Sequence, residues 1–169
     1  MKFTIGTEYA LHCLLYLVKN IKNDPIGIKE LAEFQGISES YLSKAFTKLG
    51  KAGIVESISG ANGGYRLARD PKKISFWDVI EAIEGNEGFF QCCEIRQKTI
   101  TLDKNNLPDT HTKCPCTIKQ VILEGESKMK QYLAKKNLLW LYNHVFHNLL
   151  PPEVEVETIK WFQDKRKQT

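Results

Sequence analysis

The chain has 169 residues, of which 42% are hydrophobic, and a formal net charge of +4; this length predicts one globular domain, with or without an appended helical element. A net charge this small does not indicate whether the protein binds nucleic acid. An argument for DNA binding must therefore rest on where the Lys and Arg residues lie. No secretory signal or ~18-residue apolar run is recognisable, and the five cysteines are an odd count, which together predict a reduced, cytoplasmic protein without a membrane partner.

The first predicted element is an apolar helix. Hydrophobic residues recur with helical spacing from Phe3 to about Asn20 and include the stretch "TEYALHCLLYL". Glu8 and His12 lie four residues apart on this helix, so their side chains share one face. On a lone helix the ordinary interpretation is a surface hydrogen bond between them. Cys13 is expected to be a buried small hydrophobe.

Two short helices joined by a glycine turn follow. The stretch "IKELAEFQGIS" predicts a helix closed by Gly36, and Ser38 is a candidate N-cap for the next helix, "ESYLSKAFTKLGKAG". This second helix has an apolar stripe on one side and hydroxyls and lysines on the other. The pair is typical of a helix-turn-helix, whose second helix enters the major groove of DNA. The outward side chains predicted to contact base edges or phosphates are Ser38, Ser40, Tyr41, Ser43, Lys44 and Lys48.

A hairpin and a further helix complete the first segment. The stretches "IVESIS" and "GYRLAR" predict two strands around the turn "GANGG". Behind a helix-turn-helix such a hairpin is a wing. Asn62 and Gly63 would let its backbone approach a minor groove, and Arg66 would contact phosphate. The stretch "ISFWDVIEAIEG" predicts a helix with a capping box. Residues 1–85 are therefore interpreted as a winged helix-turn-helix DNA-binding domain.

The character of the sequence changes over residues 86–116, which we call the cysteine loop. It has no sustained hydrophobic period and carries four cysteines, in "CC" and "CPC", as is typical of a long functional loop. Thiolates suit an iron–sulfur cluster, a structural zinc or direct oxidation. Neither pair has the C-x₂₋₄-C spacing usual for zinc, but the residues leave the choice open. His111 lies in the same loop and is a reserve ligand.

The remaining residues predict helices and a terminal segment. From about Thr117 apolar residues recur at alternating spacings of four and three, as in a coiled-coil seam. Because a lone seam needs a partner, residues 117–150 are interpreted as the dimerisation helices of a homodimer. Two prolines end this segment, and residues 151–169 are interpreted as an amphipathic C-terminal tail. No arrangement of nucleophile, base and oxyanion donor is visible, so we predict that the protein is not an enzyme.

The order of these parts resembles the Rrf2 family of bacterial transcriptional regulators over roughly residues 1–148. The most specific portion is "LAEFQGISESYLSKAFTKLGKAGIVESISGANGGYRLARDP". The resemblance implies a mainly α fold, in which a winged helix-turn-helix domain with a two-stranded wing precedes a long C-terminal dimerisation helix. It also implies a regulator, expected to be a repressor, that acts as a homodimer on a double-stranded DNA operator.

Three stretches, "EYALHCLLYL", "FFQCCEIRQ" and the later "CPC", resemble the redox-sensing branch of that family. In this branch a Glu and a His of helix one and two loop cysteines of the other subunit bind a [2Fe–2S] cluster. The ligands implied by position are Glu8, His12, Cys92 and Cys114. Cys93, Cys116 and His111 are reserves. The alternatives are a cluster-free family member switched by cysteine oxidation or a protein partner and, in another class, a small metal or electron-transfer protein without DNA binding.

Overall fold

The computed structural model describes residues 2–19, 24–60 and 63–167. The chain divides into two compact units, which are described separately. The smaller unit comprises residues 87–132, and the larger unit comprises the described residues from 2 to 86 and from 133 to 167. No helix among these residues combines the length and the apolar character that crossing a membrane requires.

The larger unit begins with the helices α1 (Ile5–Leu17), α2 (Ile28–Gln35) and α3 (Glu39–Lys51). Gly36 ends α2 with a φ of 65°, a left-handed conformation that glycine adopts without steric cost. Ser38 caps α3, because its hydroxyl accepts a hydrogen bond from the backbone N–H of Tyr41 at 3.4 Å. The helix-turn-helix predicted from the sequence is confirmed.

The core of this unit lies between the inner faces of the helices. Its fully buried side chains include Leu14, Leu31, Leu42, Phe46 and Leu49. Each such side chain stabilises the fold by about 1.5–3 kcal/mol relative to full exposure. Cys13 is buried among them, and burial raises the pKa of its thiol to about 12. The thiol therefore stays protonated at neutral pH and packs as a small hydrophobe, as predicted.

A two-stranded antiparallel hairpin forms the wing, with β1 at Val55–Ile58 and β2 at Gly64–Leu67. Tyr65 places its ring edge-on against Phe46 of α3, with the centroids 5.0 Å apart. The backbone of Tyr65 also exchanges two hydrogen bonds with Ile26, at 2.8 and 2.9 Å. The wing is thus fixed both to α3 and to the segment that leads into α2.

Two glycines of the wing are required by close backbone approach. A Cβ atom at Gly63 would lie 2.4 Å from the carbonyl oxygen of Ile58. A Cβ atom at Gly64 would lie 2.5 Å from the carbonyl of Ile26. Neither contact could be relieved without moving the backbone, so a larger residue at either position would displace the wing.

Helix α4 (Phe76–Glu84) follows the wing. Its start carries the predicted capping box: the Ser75 hydroxyl accepts from the N–H of Asp78 at 3.1 Å, and the Asp78 carboxylate accepts from the N–H of Ser75 at 2.7 Å. A backbone bridge pairs Ser75 with Asn137, just before α7. The start of α4 is therefore held by its own cap and by the later part of the chain.

The end of α4 is tied to the start of α1. The carboxylate of Glu84 accepts hydrogen bonds from the N–H and the hydroxyl of Thr4, at 2.8 and 2.9 Å, and from the hydroxyl of Thr7 at 2.5 Å. Partial burial favours the protonated carboxyl, but the hydrogen bonds from Thr7 and Thr4 outweigh it and lower the pKa of Glu84. These contacts fix the start of α1 against the end of α4.

The end of the chain adds α7 (Leu138–His144), a π-helical turn (Val145–Leu149) and α8 (Pro152–Lys167). The hydroxyl of Tyr142 donates a hydrogen bond to the carboxylate of Glu155, which joins α7 to the start of α8.

The smaller unit has little regular structure before its long helix. A 3-10 turn (Ile95–Lys98) and the four-residue helix α5 (Asp109–Thr112) lead to α6 (Thr117–Ala134), whose last two residues are counted with the larger unit. Several apolar side chains of α6 are exposed in the single chain, namely Ile118, Val121, Leu123 and Tyr132. The predicted loop followed by a long C-terminal helix is confirmed, and the helix carries an apolar surface that the single chain leaves exposed.

Candidate functional site

The outward face of α3 presents hydroxyls at its amino-terminal end. The hydroxyl oxygens of Ser38 and Ser40 lie 3.1 Å apart, and both residues are exposed. Ser43 is half-buried and Lys44 is exposed one turn further along. An α-helix with short polar side chains at this end fits the major groove of DNA. The structure therefore keeps these predicted residues together on one accessible surface.

Tyr41 extends this surface and is braced by α1. Its side chain is 39% exposed, and its ring packs edge-on against Tyr9, with the centroids 5.6 Å apart. Sequence reasoning missed Tyr9, because nothing in the local pattern indicates which residue of α1 meets α3. This ring contact joins α1 directly to the start of α3.

Lys48 differs from the other predicted DNA contacts. Its ammonium donates a hydrogen bond to the carbonyl oxygen of Ile83 at 2.6 Å. That carbonyl lies in the last turn of α4, where a positive charge interacts favourably with the helix dipole. The ammonium of Lys48 is therefore engaged in joining α3 to α4.

On the wing, Arg66 is paired across the two strands. Its Nε donates to the carboxylate of Glu56 at 2.6 Å, and the two residues are direct partners in the β1–β2 register. Gly63 donates its N–H to the carbonyl of Gly60 at 2.9 Å and closes the turn. Asn62, the other residue predicted for the wing tip, lies outside the described residues.

Glu8 and His12 line an open groove along α1. Both side chains are exposed, and the groove of about 1010 Å³ has apolar walls that include Phe76, Leu141 and Val145. Residues four apart on a helix have Cβ atoms about 5–6 Å apart, so both side chains can reach one metal atom. We call this pair of donors the α1 half-site.

In the cysteine loop the structure brings Cys92 and Cys116 together. Their thiols are close enough for each to shift the pKa of the other, and the Cys92 thiol donates a hydrogen bond to the carboxylate of Glu94 at 3.5 Å. Cys116 immediately precedes α6 and is buried, with 8% of its surface exposed. We call Cys92 and Cys116 the thiol pair.

The two members of the thiol pair differ in acidity. The backbone N–H of Lys119, followed by that of Ile118 and by the Cys92 thiol, lowers the pKa of Cys116, as expected for a thiolate at a helix N-terminus. The backbone N–H of Glu94 stabilises the Cys92 thiolate. Burial, the nearby Cys116 thiol with its charge when ionised, and the hydrogen bond to the Glu94 carboxylate prevail, and together they raise the pKa of Cys92. Cys116 is therefore the member that ionises first.

The other predicted loop residues are Cys93, Cys114 and His111. Cys93 and Cys114 are exposed, and the carbonyl oxygen of Cys114 accepts a hydrogen bond from Arg96 at 2.6 Å. His111 is half-buried, and its Nδ1 lies 3.2 Å from the hydroxyl of Thr110. Among the described residues, no group of three or more His, Cys, Asp and Glu side chains is close enough to hold a metal ion. Each candidate donor set is therefore partial within one chain.

Comparison with known proteins identifies the family. Residues 3–144 match Rrf2, described as an iron-dependent transcriptional regulator. The chain belongs to the Rrf2 family. The HTH-type transcriptional regulator NsrR of Shouchella clausii is 36% identical over 135 residues, which cover 80% of this chain and 84% of that protein. The resemblance inferred from the sequence is thus confirmed, and DNA binding is implied by membership of a family of transcriptional regulators.

Further Rrf2 relatives share part of the sequence or the fold. The regulator IscR of Vibrio campbellii is 38% identical over 92 residues, which cover 54% of this chain and 55% of that protein. The solved structure of T. potens IscR superposes with a TM-score of 0.64 at 25% identity, covering 89% of this chain and 93% of that one. The structure of CymR, the global cysteine regulator of B. subtilis, has a TM-score of 0.61 at 24% identity over 85% of this chain and 98% of its own, and shows the shared fold.

Proposed function

We propose that this Rrf2-type regulator is a cytoplasmic, homodimeric repressor that binds a double-stranded DNA operator and senses redox state through a [2Fe–2S] cluster. The observation that carries the proposal is the presence of two partial donor sets in one chain. The α1 half-site supplies a carboxylate and an imidazole on an open groove, and the thiol pair supplies two sulfur atoms beside a helix N-terminus. The description of the family as iron-dependent supports the choice of iron.

We propose that α3 reads the operator in the major groove. The exposed hydroxyls of Ser40 and Tyr41 and the ammonium of Lys44 are of the types that reach base edges and phosphates. A two-fold homodimer presents two such helices, which suit half-sites about one turn of DNA apart. The exposed apolar face of α6 supports the dimer, because a second copy would cover it.

The donor sets fit the cluster by their chemistry. We propose that Glu8 and His12 of one subunit, with Cys92 and Cys116 of the other, are the ligands. We choose Cys116 in place of Cys114 for this set because its thiol is near enough to Cys92 for the two to shift each other's pKa and its thiolate is stabilised by the N-terminal N–H groups of α6, whereas Cys114 is exposed. When bound, such a cluster supplies a one-electron redox couple whose potential is raised where imidazole replaces thiolate.

The residues around the α1 half-site suggest how a signal reaches DNA. Glu8 is followed directly by Tyr9, whose ring contacts Tyr41 at the start of α3. A change in how Glu8 and His12 are held by a partner subunit therefore acts on the helix that braces the recognition surface. Small shifts there alter the placement of two recognition helices that must match two half-sites at once.

The test is anaerobic purification followed by visible absorption and by iron and sulfide analysis, with DNA binding measured on an operator selected from random sequences. We expect a coloured protein with equal iron and sulfide, whose DNA affinity changes on oxidation. Cys116→Ser should remove the colour, and Cys114→Ser is the matched control that should keep it. A colourless parent whose DNA binding still responds to oxidants would favour the cluster-free alternative. Failure to bind any DNA would favour the alternative of a small metal or electron-transfer protein without DNA binding.

A further inference from the structure

Arg96 lies at the centre of the cysteine loop and was not identified by sequence reasoning. Its Nε donates to the carboxylate of Glu94 at 2.8 Å, and its two terminal nitrogens donate to the carbonyl oxygens of Thr110 at 3.0 Å and Cys114 at 2.6 Å. The side chain is only 23% exposed. One guanidinium therefore cross-links two segments of the loop that are distant in sequence.

The first contact of Arg96 fixes the segment that carries Cys92. Glu94 has a φ of 47°, and it is the one non-glycine residue with positive φ in the described chain. A conformation of this kind costs roughly 1–3 kcal/mol and persists only where surrounding contacts enforce it. The carboxylate of Glu94 accepts from both Arg96 and the Cys92 thiol. Arg96 thus stabilises the turn at Glu94, which sets the orientation of the Cys92 thiol.

The other two contacts fix the approach to Cys116. The carbonyl of Thr110 belongs to α5, and the carbonyl of Cys114 lies two residues before the second thiol. With both ends of the loop bonded to the same guanidinium, the separation of the Cys92 and Cys116 segments is set by one planar group.

The loop has no hydrophobic core of its own to hold it. From residue 87 to residue 115, all of which the structure describes, no side chain is buried. A segment without a hydrophobic core depends on its polar contacts for a defined conformation. Gln97 adds one such contact, from its side-chain amide to the carbonyl of His111 at 2.6 Å, but it reaches only one acceptor.

We propose that Arg96 is a positioning residue that preassembles the thiol pair, so that Cys92 and Cys116 meet an incoming metal as a ready-made two-sulfur ligand. The proposal rests on the proposed function, in that the thiol pair is taken as the metal-binding half-site. Lysine cannot substitute, because its ammonium has no planar fork with which to hold a carboxylate and two carbonyls at fixed angles.

The first test uses the metal-free protein and phenylarsonous acid. Arsenic forms two As–S bonds to two neighbouring thiols as its two As–O bonds break, and the two hydroxyl groups leave with the two thiol protons as two molecules of water. In a background of Cys93→Ser and Cys114→Ser, only Cys92, Cys116 and the buried Cys13 remain as thiols. We expect Arg96→Gln and Arg96→Lys to weaken arsenical binding by about tenfold or more, since the two thiols are no longer preorganised. Lys98→Gln removes an exposed charge from the same turn and should bind like the parent.

The second test uses iron. After anaerobic reconstitution, Arg96→Lys should take up less iron, and its residual cluster should show altered visible circular dichroism, which reports ligand geometry. The midpoint of thermal unfolding of the helical protein should stay at the parent value. Lys98→Gln should match the parent in every measurement.

The outcomes separate the two proposals. Arsenical binding and a dichroism spectrum that are unchanged in Arg96→Gln and Arg96→Lys would overturn the positioning role. If the parent takes up no iron but Arg96→Gln still loses the arsenical, the positioning role stands and the cluster proposal fails. If Arg96→Gln also lowers the midpoint of thermal unfolding, the Arg96→Lys variant decides between a structural and a positioning role. If Arg96→Lys unfolds at the parent midpoint but loses arsenical binding, Arg96 positions the thiols.

Discussion

Lys44 and Lys48 lie one turn apart on α3 but have different surroundings. The ammonium of Lys48 is bonded to the carbonyl of Ile83 in the last turn of α4, whereas Lys44 is exposed on the outward face. The sequence groups both with the DNA contacts, because periodicity identifies a face but not the distant carbonyl that one of them reaches. We therefore propose that Lys44 neutralises a phosphate and that Lys48 contributes to stability.

We expect Lys44→Ala to weaken binding to all DNA sequences and to reduce the salt dependence of binding, with the slope of log K against log salt falling by about 1. Lys48→Ala should instead lower the free energy of unfolding by about 1 kcal/mol, because the carbonyl of Ile83 loses its charged donor. DNA titrations at several salt concentrations and urea unfolding measure the two effects. An equal loss of salt slope in both variants would refute this division of roles.

At the scale of elements, α8 has a larger part in the fold than the sequence indicates. The sequence predicts an amphipathic tail, and the family match ends before it, at residue 144. In the structure Trp161 and Phe162 pack against Phe34 of α2, with centroids 5.0 and 4.9 Å apart. Two ion pairs flank these rings, Lys165 with Glu33 at 2.5 Å and Arg166 with Asp24 at 2.8 Å. The tail is therefore a helix that braces the helix-turn-helix.

Phe162→Ala should lower the free energy of unfolding by about 2 kcal/mol, less than for a fully buried ring because Phe162 is half-buried. Val156→Ala, at a residue of α8 that is 66% exposed, is the control and should change stability little. Urea denaturation followed by circular dichroism gives both values. If the two variants unfolded at the same urea concentration, α8 would not be bracing α2.

Helix α6 is expected to form the dimer contact. Its apolar residues Ile118, Val121 and Tyr132 are 63–65% exposed in the single chain, and Ile122 lies half-buried among them. Ile122→Asp would place an unpaired carboxylate in the contact at a cost of several kcal/mol. Gln120→Asp introduces the same charge at an exposed position on another side of the helix. Light scattering after gel filtration should give monomers for Ile122→Asp and dimers for Gln120→Asp, and a dimeric Ile122→Asp protein would place the contact elsewhere.

The elements that the sequence predicted are those governed by local rules. The serine cap of α3, the capping box of α4 and the glycines of the wing each depend on residues a few positions apart. Contacts between distant residues were not predictable in this way. The proximity of Cys92 to Cys116 joins the two ends of the cysteine loop, which no local pattern relates. The ion pair of Lys165 with Glu33 joins residues 132 positions apart, which no local pattern reports.

At the scale of the whole molecule, the proposed cluster needs donors from two subunits. Within the described part of one chain no metal-binding group of three or more ligands is complete, and the α1 half-site and the thiol pair supply different donor types. In a two-fold dimer each half-site of one subunit has a complementary half-site on the other, so a dimer would hold two equivalent clusters. The dimer would thus be needed for the sensor as well as for operator recognition.

We propose that the α1 half-site of one subunit and the thiol pair of the other complete one cluster, and the iron content of mixed dimers tests this most directly. His12→Ala and Cys92→Ser subunits are produced together with different affinity tags, and the mixed dimers are isolated anaerobically. Homodimers of either variant should hold no cluster. A mixed dimer contains one intact α1 half-site facing one intact thiol pair, so it should hold iron and sulfide at about half the parent level. Mixed dimers as empty as the two homodimers would contradict the claim.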